Sequence, residues 1–260
     1  MNIVSAIIIV ISVVIGILYH EYGHLKAAKK HQINVNTFCI GLGKPFLQRK
    51  GKDGVTYGVA PIPLGGYCSI DDAGLNKSSL RVYISVLAAG IIRNMILGTV
   101  LIIIGQIIVA NRFVNPIVLF GNTVELFSTL LFGLGDTVAN MLDLKEMAAY
   151  GGFVGQMENA GTTIVSMSNG VNHVIGMSIM MGGLMNYMLA IFNALPLPGL
   201  DGGQILARMI TDFCRKVFHR EINPNIIQLV NVISVAVICI YQGLILLFDI
   251  PWVRNIFINL

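Results

Sequence analysis

Charge is scarce in this chain. Of its 260 residues only 12% are charged, while 55% are hydrophobic and the mean hydropathy is +0.77. A soluble domain carries about 25% charged residues, so the shortage excludes an ordinary soluble domain and points to a polytopic membrane protein. Cysteine is scarce too. Cys39, Cys68, Cys214 and Cys239 form no C-x-x-C pair; the last lies in an apolar run and the first two in a basic region. That excludes a disulfide framework and predicts free thiols. The apolar N-terminal stretch lacks the basic flank and the small-residue cleavage site of a secretory signal, so it is expected to be retained. The partner expected throughout is the lipid bilayer, and no nucleic acid.

Long apolar runs are what the chain does have. Ile3 to Tyr19 is one of them; as a helix it covers about 26 Å of a hydrocarbon core about 30 Å thick. Further runs predict four transmembrane helices, at about 3–24, 82–110, 174–195 and 226–248, in a mostly α-helical, single membrane-embedded domain over 1–260. Basic residues orient them. Nine Lys/Arg fall between 26 and 81 and four between 208 and 220, thirteen of the seventeen in all. By the positive-inside rule both stretches are cytosolic and both termini extracytosolic, across the inner (plasma) membrane of the cell. Pro251, Trp252 and Arg254 read as an outer interfacial anchor.

The connections differ in kind. Residues 31–80 are polar and rich in turn residues. Val55 to Ala60 reads as a strand after the turn Lys52-Asp53-Gly54, with Phe46 to Arg49 as its partner in a small membrane-associated β-hairpin on the cytosolic side. The same pattern also fits a plain connecting loop. Pro61, Pro63, Gly65 and Gly66 predict irregular chain after it. In the segment 114–150, Phe120, Val124, Phe127, Leu131 and Leu134 form one helical stripe and Asn122, Glu125, Thr129 and Asp136 another. That predicts an extracytosolic amphipathic helix in the interface. The glycine-rich residues 136–173 are expected to be irregular. Arg93 sits within the second run, where it either snorkels or faces a wet cavity.

Chemistry concentrates at the end of the first run, in His20-Glu21-Tyr22-Gly23-His24. On a helix this His-Glu-x-x-His pattern puts two imidazoles on one face, one turn apart, as two ligands of a tetrahedral Zn²⁺ require. Glu21 beside them suits a general base for water. Ionisable residues at that depth are functional by default. The third run ends at the same edge of the bilayer with Asp201, a natural carboxylate ligand, though aspartate there also fits a helix N-cap.

These residues carry a resemblance. The chain resembles the site-2 protease family of intramembrane zinc metalloproteases, through His20-Glu21-Tyr22-Gly23-His24 and through Asn193 to Gly202, which fits N-x-x-P-x-P-x-L-D-G at every fixed position. Gly41-Leu42-Gly43, Pro63 to Tyr67, Ala88-Ala89-Gly90 with Asn94, and Gly151 to Gly155 look like its bacterial four-span branch, which includes anti-sigma-factor proteases. The resemblance implies Zn²⁺ on His20, His24 and Asp201, catalysis by Glu21, and cleavage of single-span membrane proteins such as anti-sigma factors, or of signal-peptide remnants. Asn193 would contact the substrate backbone or oxyanion, or else act only as a helix-packing amide. The strand edge at Val55, Tyr57 and Val59 would receive the unwound substrate by strand addition. The branch usually carries PDZ domains between the second and third spans, and residues 111–150 leave no room for one. Two other classes compete. A non-proteolytic zinc-binding regulator would not need Glu21, and a metal transporter would want acids or histidines along the third and fourth runs, which offer no such series.

Overall fold

The computed structural model describes residues 3–111, 115–132, 164, 170–219, 222–247, 250 and 255. It is mostly helical, with one small sheet. In chain order the elements are α1 (Ile3–Lys30), β1 (Val35–Leu42), β2 (Leu47–Lys50), β3 (Thr56–Val59), β4 (Ile62–Ile70), α2 (Asp72–Lys77), α3 (Leu80–Ala110), α4 (Pro116–Phe132), α5 (Val171–Ala194), α6 (Asp201–Phe218) and α7 (Pro224–Leu247). Among the described residues α1, α3 and α5 are long and apolar enough to cross a membrane, and α4 and α7 contain shorter apolar stretches. The glycine-rich stretch around Gly151, Gly152 and Gly155 and the anchor Pro251-Trp252-Arg254 lie outside the described residues.

Contacts group the chain into two units: residues 11–98 with 185–232, and residues 1–10 with 99–184 and 233–260. The first unit holds the sheet and the chemistry. Its core joins Leu25 and Ala28 of α1, Ile33, Val35 of β1, Val55, Leu75 of α2, and Tyr83, Val86 and Leu87 of α3. This cluster locks the end of α1 against the start of α3. Gly23 lets the two backbones touch, since a Cβ there would lie 2.7 Å from the Ala89 carbonyl oxygen. α1 stops after Lys29 and Lys30, cations suited to a helix C-terminus, and Gln32 turns left-handed at φ 59°. α5 meets α1 where the Asn186 amide donates to the Ser12 carbonyl at 3.2 Å.

The expected hairpin is present, but as part of a larger sheet of order β2-β3-β1-β4. β2 pairs antiparallel with β3, as expected for Phe46–Arg49 against Val55–Ala60. β3 also runs parallel to β1, from Thr37↔Thr56 to Ile40↔Val59. The stretch after Ala60, expected to be irregular, forms β4, antiparallel to β1. Its prolines and glycines are absorbed at a register break: Leu42 faces Ile62, Ile40 faces Gly66, and Pro63, Leu64 and Gly65 bulge between. As an outer strand β4 also tolerates a residue without an N–H.

In the second unit, α3 and α5 approach closely at Gly105, where a Cβ would lie 2.5 Å from the Gly176 carbonyl oxygen. α4 is the helix expected over the described part of 114–150. Phe120 and Val124 of its apolar stripe are exposed, while Leu119 and Thr123 are buried. The Thr123 hydroxyl donates to the Leu119 carbonyl at 2.8 Å and accepts from the Gln106 amide at 3.2 Å. Cys39, Cys68 and Cys214 are free thiols, as expected.

Candidate metal centre

One turn of α1 places His20 above His24, with Nε2 of each 3.0 Å apart. Asp201, the first residue of α6, brings Oδ2 to 3.1 Å from His20 Nε2 and 3.3 Å from His24 Nε2. The N-cap position of α6 belongs to Leu200, which makes no side-chain cap, so Asp201 turns its carboxylate to the histidines instead of capping the helix. All three residues are buried.

Several details test whether a metal ion fits. Tetrahedral zinc with ligands at about 2.0–2.1 Å spaces them about 3.3 Å apart, and the three ligand atoms lie 3.0 to 3.3 Å from one another. His24 Nδ1 lies 2.9 Å from the Val86 carbonyl oxygen, which can only accept, so the ring proton sits on Nδ1. The Nε2 lone pair then points at the carboxylate, leaving Asp201 Oδ2 with no donor from that ring. Two facing acceptors in a buried site call for a cation.

α3 shapes the other side with one stripe at i, i+4, i+8. Val86 orients His24 through its carbonyl, and Asn94 approaches His20, with Nδ2 3.4 Å from Nδ1. Gly90 lies between them; a Cβ there would stand 2.7 Å from both His20 Cε1 and His24 Nε2. With Nε2 given to a metal, His20 must carry its proton on Nδ1. A half-turn of the Asn94 amide then lets Oδ1, otherwise without a partner and buried, accept that proton. Gly90 and Asn94 entered the sequence reading only through the resemblance, and Val86 not at all. Their four-residue spacing beside a histidine pair of the same spacing was the available signal.

Glu21 is partly buried beside the triad, with the backbone N–H of Cys68 on β4 near its carboxylate. The Arg93 guanidinium lies 4.8 Å from the centres of both the Tyr19 and Tyr22 rings, a cation on two aromatic faces. Asn193 uses its amide on its own helix, donating to the Leu189 carbonyl at 2.9 Å.

The expected strand edge at Val55, Tyr57 and Val59 is not there. β3 is paired on both sides, by β2 and β1, so it has no free N–H or C=O row to offer. Val55 is buried in the core. The Tyr57 hydroxyl donates to Asp53 at 2.7 Å, and Lys29 and Tyr57 together hold the Asp53 carboxyl down to about 2. Among the described strands the outer positions belong to β2 and β4, and β4 is the one that reaches Glu21.

Comparison with known proteins agrees with this centre. The sequence profile of Peptidase family M50 matches residues 6–240. A provisionally named zinc metalloprotease of Clostridium acetobutylicum is 37% identical over 110 residues, 39% of this chain and 32% of that protein. Another, from Pasteurella multocida, is 46% identical over 68 residues, 26% of this chain and 15% of that protein. The regulator of sigma E protease of Haemophilus influenzae is 44% identical over 68 residues, again 26% and 15%. The matches span about a third or less of the length of these relatives.

Proposed function

The chain belongs to Peptidase family M50, a zinc metalloprotease family, and on that premise we propose that it is an intramembrane endopeptidase. Its substrates would be transmembrane segments of regulatory membrane proteins, such as anti-sigma factors, or remnant signal peptides. One observation carries the reading: three buried ligand atoms within 3.3 Å of one another, with Glu21 next in the chain, on a helix long and apolar enough to cross a membrane.

His20, His24 and Asp201 would hold the zinc, which when bound supplies a Lewis acid for the scissile carbonyl and for water. Val86 and Asn94 keep the two imidazoles in the tautomer that leaves Nε2 free. Glu21 takes a proton from the attacking water and returns it to the leaving amide nitrogen. Asn193 keeps one amide hydrogen for a substrate carbonyl.

The layout consistent with this is four crossings, with α7 as the fourth, both termini outside and the centre facing the cytosol. The skew of thirteen in seventeen basic residues supports it. A substrate helix must unwind before its backbone can be reached, and its freed N–H and C=O groups then need partners. The outer strand β4 could supply them by strand addition, beside Glu21. The deciding experiment compares native chain with Glu21→Gln and His24→Ala on a single-span substrate, with zinc measured in each. Glu21→Gln should keep zinc and lose cleavage; His24→Ala should lose both. Hydrolysis at native rate by Glu21→Gln would refute the role of Glu21, and a native chain that binds no zinc would refute the reading.

A further inference from the structure

α6 is built inside out for a protein surrounded by water. Its polar stripe faces the protein. Asp201 and Asp212 are 8% and 9% exposed. The Arg208 guanidinium is turned inward: Nε donates to Asp212 at 3.1 Å, Nη1 to the Asn76 carbonyl at 2.6 Å and Nη2 to the Ser78 carbonyl at 2.9 Å, with the Tyr83 ring 5.2 Å away. The apolar stripe faces out. Leu206, Met209, Ile210, Phe213 and Val217, at i, i+3, i+4, i+7 and i+11, are 39 to 58% exposed.

Chain length and charge say what covers this face. Only residues 195–200 separate α6 from α5, and 219–223 from α7. Six residues reach at most about 20 Å, so both ends of α6 are tethered to apolar helices. The acids of α6 are occupied: Asp212 by Arg208 and Arg215, Asp201 by the histidines. Lys216, exposed and seven residues after Met209 at the margin of the stripe, enters no ion pair among the described residues. An apolar face edged with unbalanced positive charge matches a leaflet with anionic headgroups.

We propose that α6 lies in the headgroup layer on the metal-centre side and binds anionic phospholipid. Its stripe sits among the acyl chains, and Lys216 sits on the phosphates. This goes beyond the peptidase reading, and its test does not read cleavage, so the two can fail separately.

The test uses the full chain with its single tryptophan removed by Trp252→Phe and a new one placed by Phe213→Trp, with Met209→Trp as a second version of the same probe. Each is reconstituted in vesicles carrying brominated acyl chains, which quench tryptophan on contact. The bromine is placed either on phosphatidylglycerol or on phosphatidylcholine, at equal mole fraction. Contact with anionic lipid should be enriched about fivefold, as one basic residue at the surface implies, so brominated phosphatidylglycerol should quench more. Lys216→Gln should bring the ratio towards one. Equal quenching by both lipids would overturn the proposal. So would a probe quenched by neither lipid, the result expected if protein, such as a second copy, covers the face.

Discussion

Replacing Gly90 with alanine adds one methyl group at the tightest place in the metal centre. Its Cβ would lie 2.7 Å from His20 Cε1, 2.7 Å from His24 Nε2 and 2.8 Å from His20 Nδ1, where ordinary contacts are 3.4 to 4 Å. The rings cannot retreat into each other, because their Nε2 atoms already stand 3.0 Å apart. Nor can the helices part easily, because Gly23 packs directly against the Ala89 carbonyl. Overpacking of this kind costs about 1–3 kcal/mol, which corresponds to roughly 5- to 150-fold in a dissociation constant. The helix itself should gain, since alanine is favoured over glycine by about 1 kcal/mol in a helix interior. The expected signature is therefore specific: weaker zinc binding with no loss of helix content. Competition against a chromophoric chelator measures the first, and far-UV circular dichroism the second. Gly121→Ala is the control, because a Cβ there meets nothing within 4 Å. Zinc affinity of Gly90→Ala equal to that of the control would refute the packing argument.

Asn94 positions His20 through the ring proton, so Asn94→Leu should weaken zinc binding by about 10- to 100-fold, while Asn94→Asp, which still accepts from Nδ1–H, should restore most of it; equal loss in both would mean the residue acts only by packing. Thiol labelling of single cysteines at Lys52 and Glu125 should find the first cytosolic and the second outside, and cytosolic labelling at position 125 would overturn the four-span layout. Photo-crosslinkers along β4 should capture a bound substrate on Glu21→Gln chain at every second position from Tyr67 to Ile70, following strand alternation; capture on β3 at Tyr57 instead would return the substrate to the strand from which its pairing now excludes it.

Local chemistry was legible in the sequence and long-range pairing was not. The two histidines read correctly because four-residue spacing on a helix is a local fact. The β2–β3 hairpin read correctly because its turn, Lys52-Asp53-Gly54, lies between the strands it joins. β1 was missed although its burial alternates at Val35, Cys39 and Gly41, because its parallel partner β3 is reached only through β2. β4 was missed because Pro63, Gly65 and Gly66 are turn residues anywhere except at a bulge. That one omission put the expected free edge on the wrong strand. A two-stranded hairpin leaves β3 with a free edge, whereas the four-stranded sheet moves the edge to β4.

The candidate ligands could be read from their chemistry; what brings them together is the absence of side chains. Three helices must converge until three polar atoms stand about 3 Å apart in an apolar surround. Gly23 removes a Cβ that would collide with Ala89, and Gly90 one that would collide with both imidazoles. On α6, a Cβ at Gly202 would lie 2.3 Å from the Ala194 carbonyl oxygen, and one at Gly203 1.9 Å from that of Leu197. Those two glycines let the Pro196–Leu200 loop fold back on the first turn of α6, which is what delivers Asp201. A ligand announces itself by its functional group, whereas a gap is recorded only as glycine, a residue that could equally mark a turn. The metal centre was therefore legible as a list of ligands before it was legible as a place.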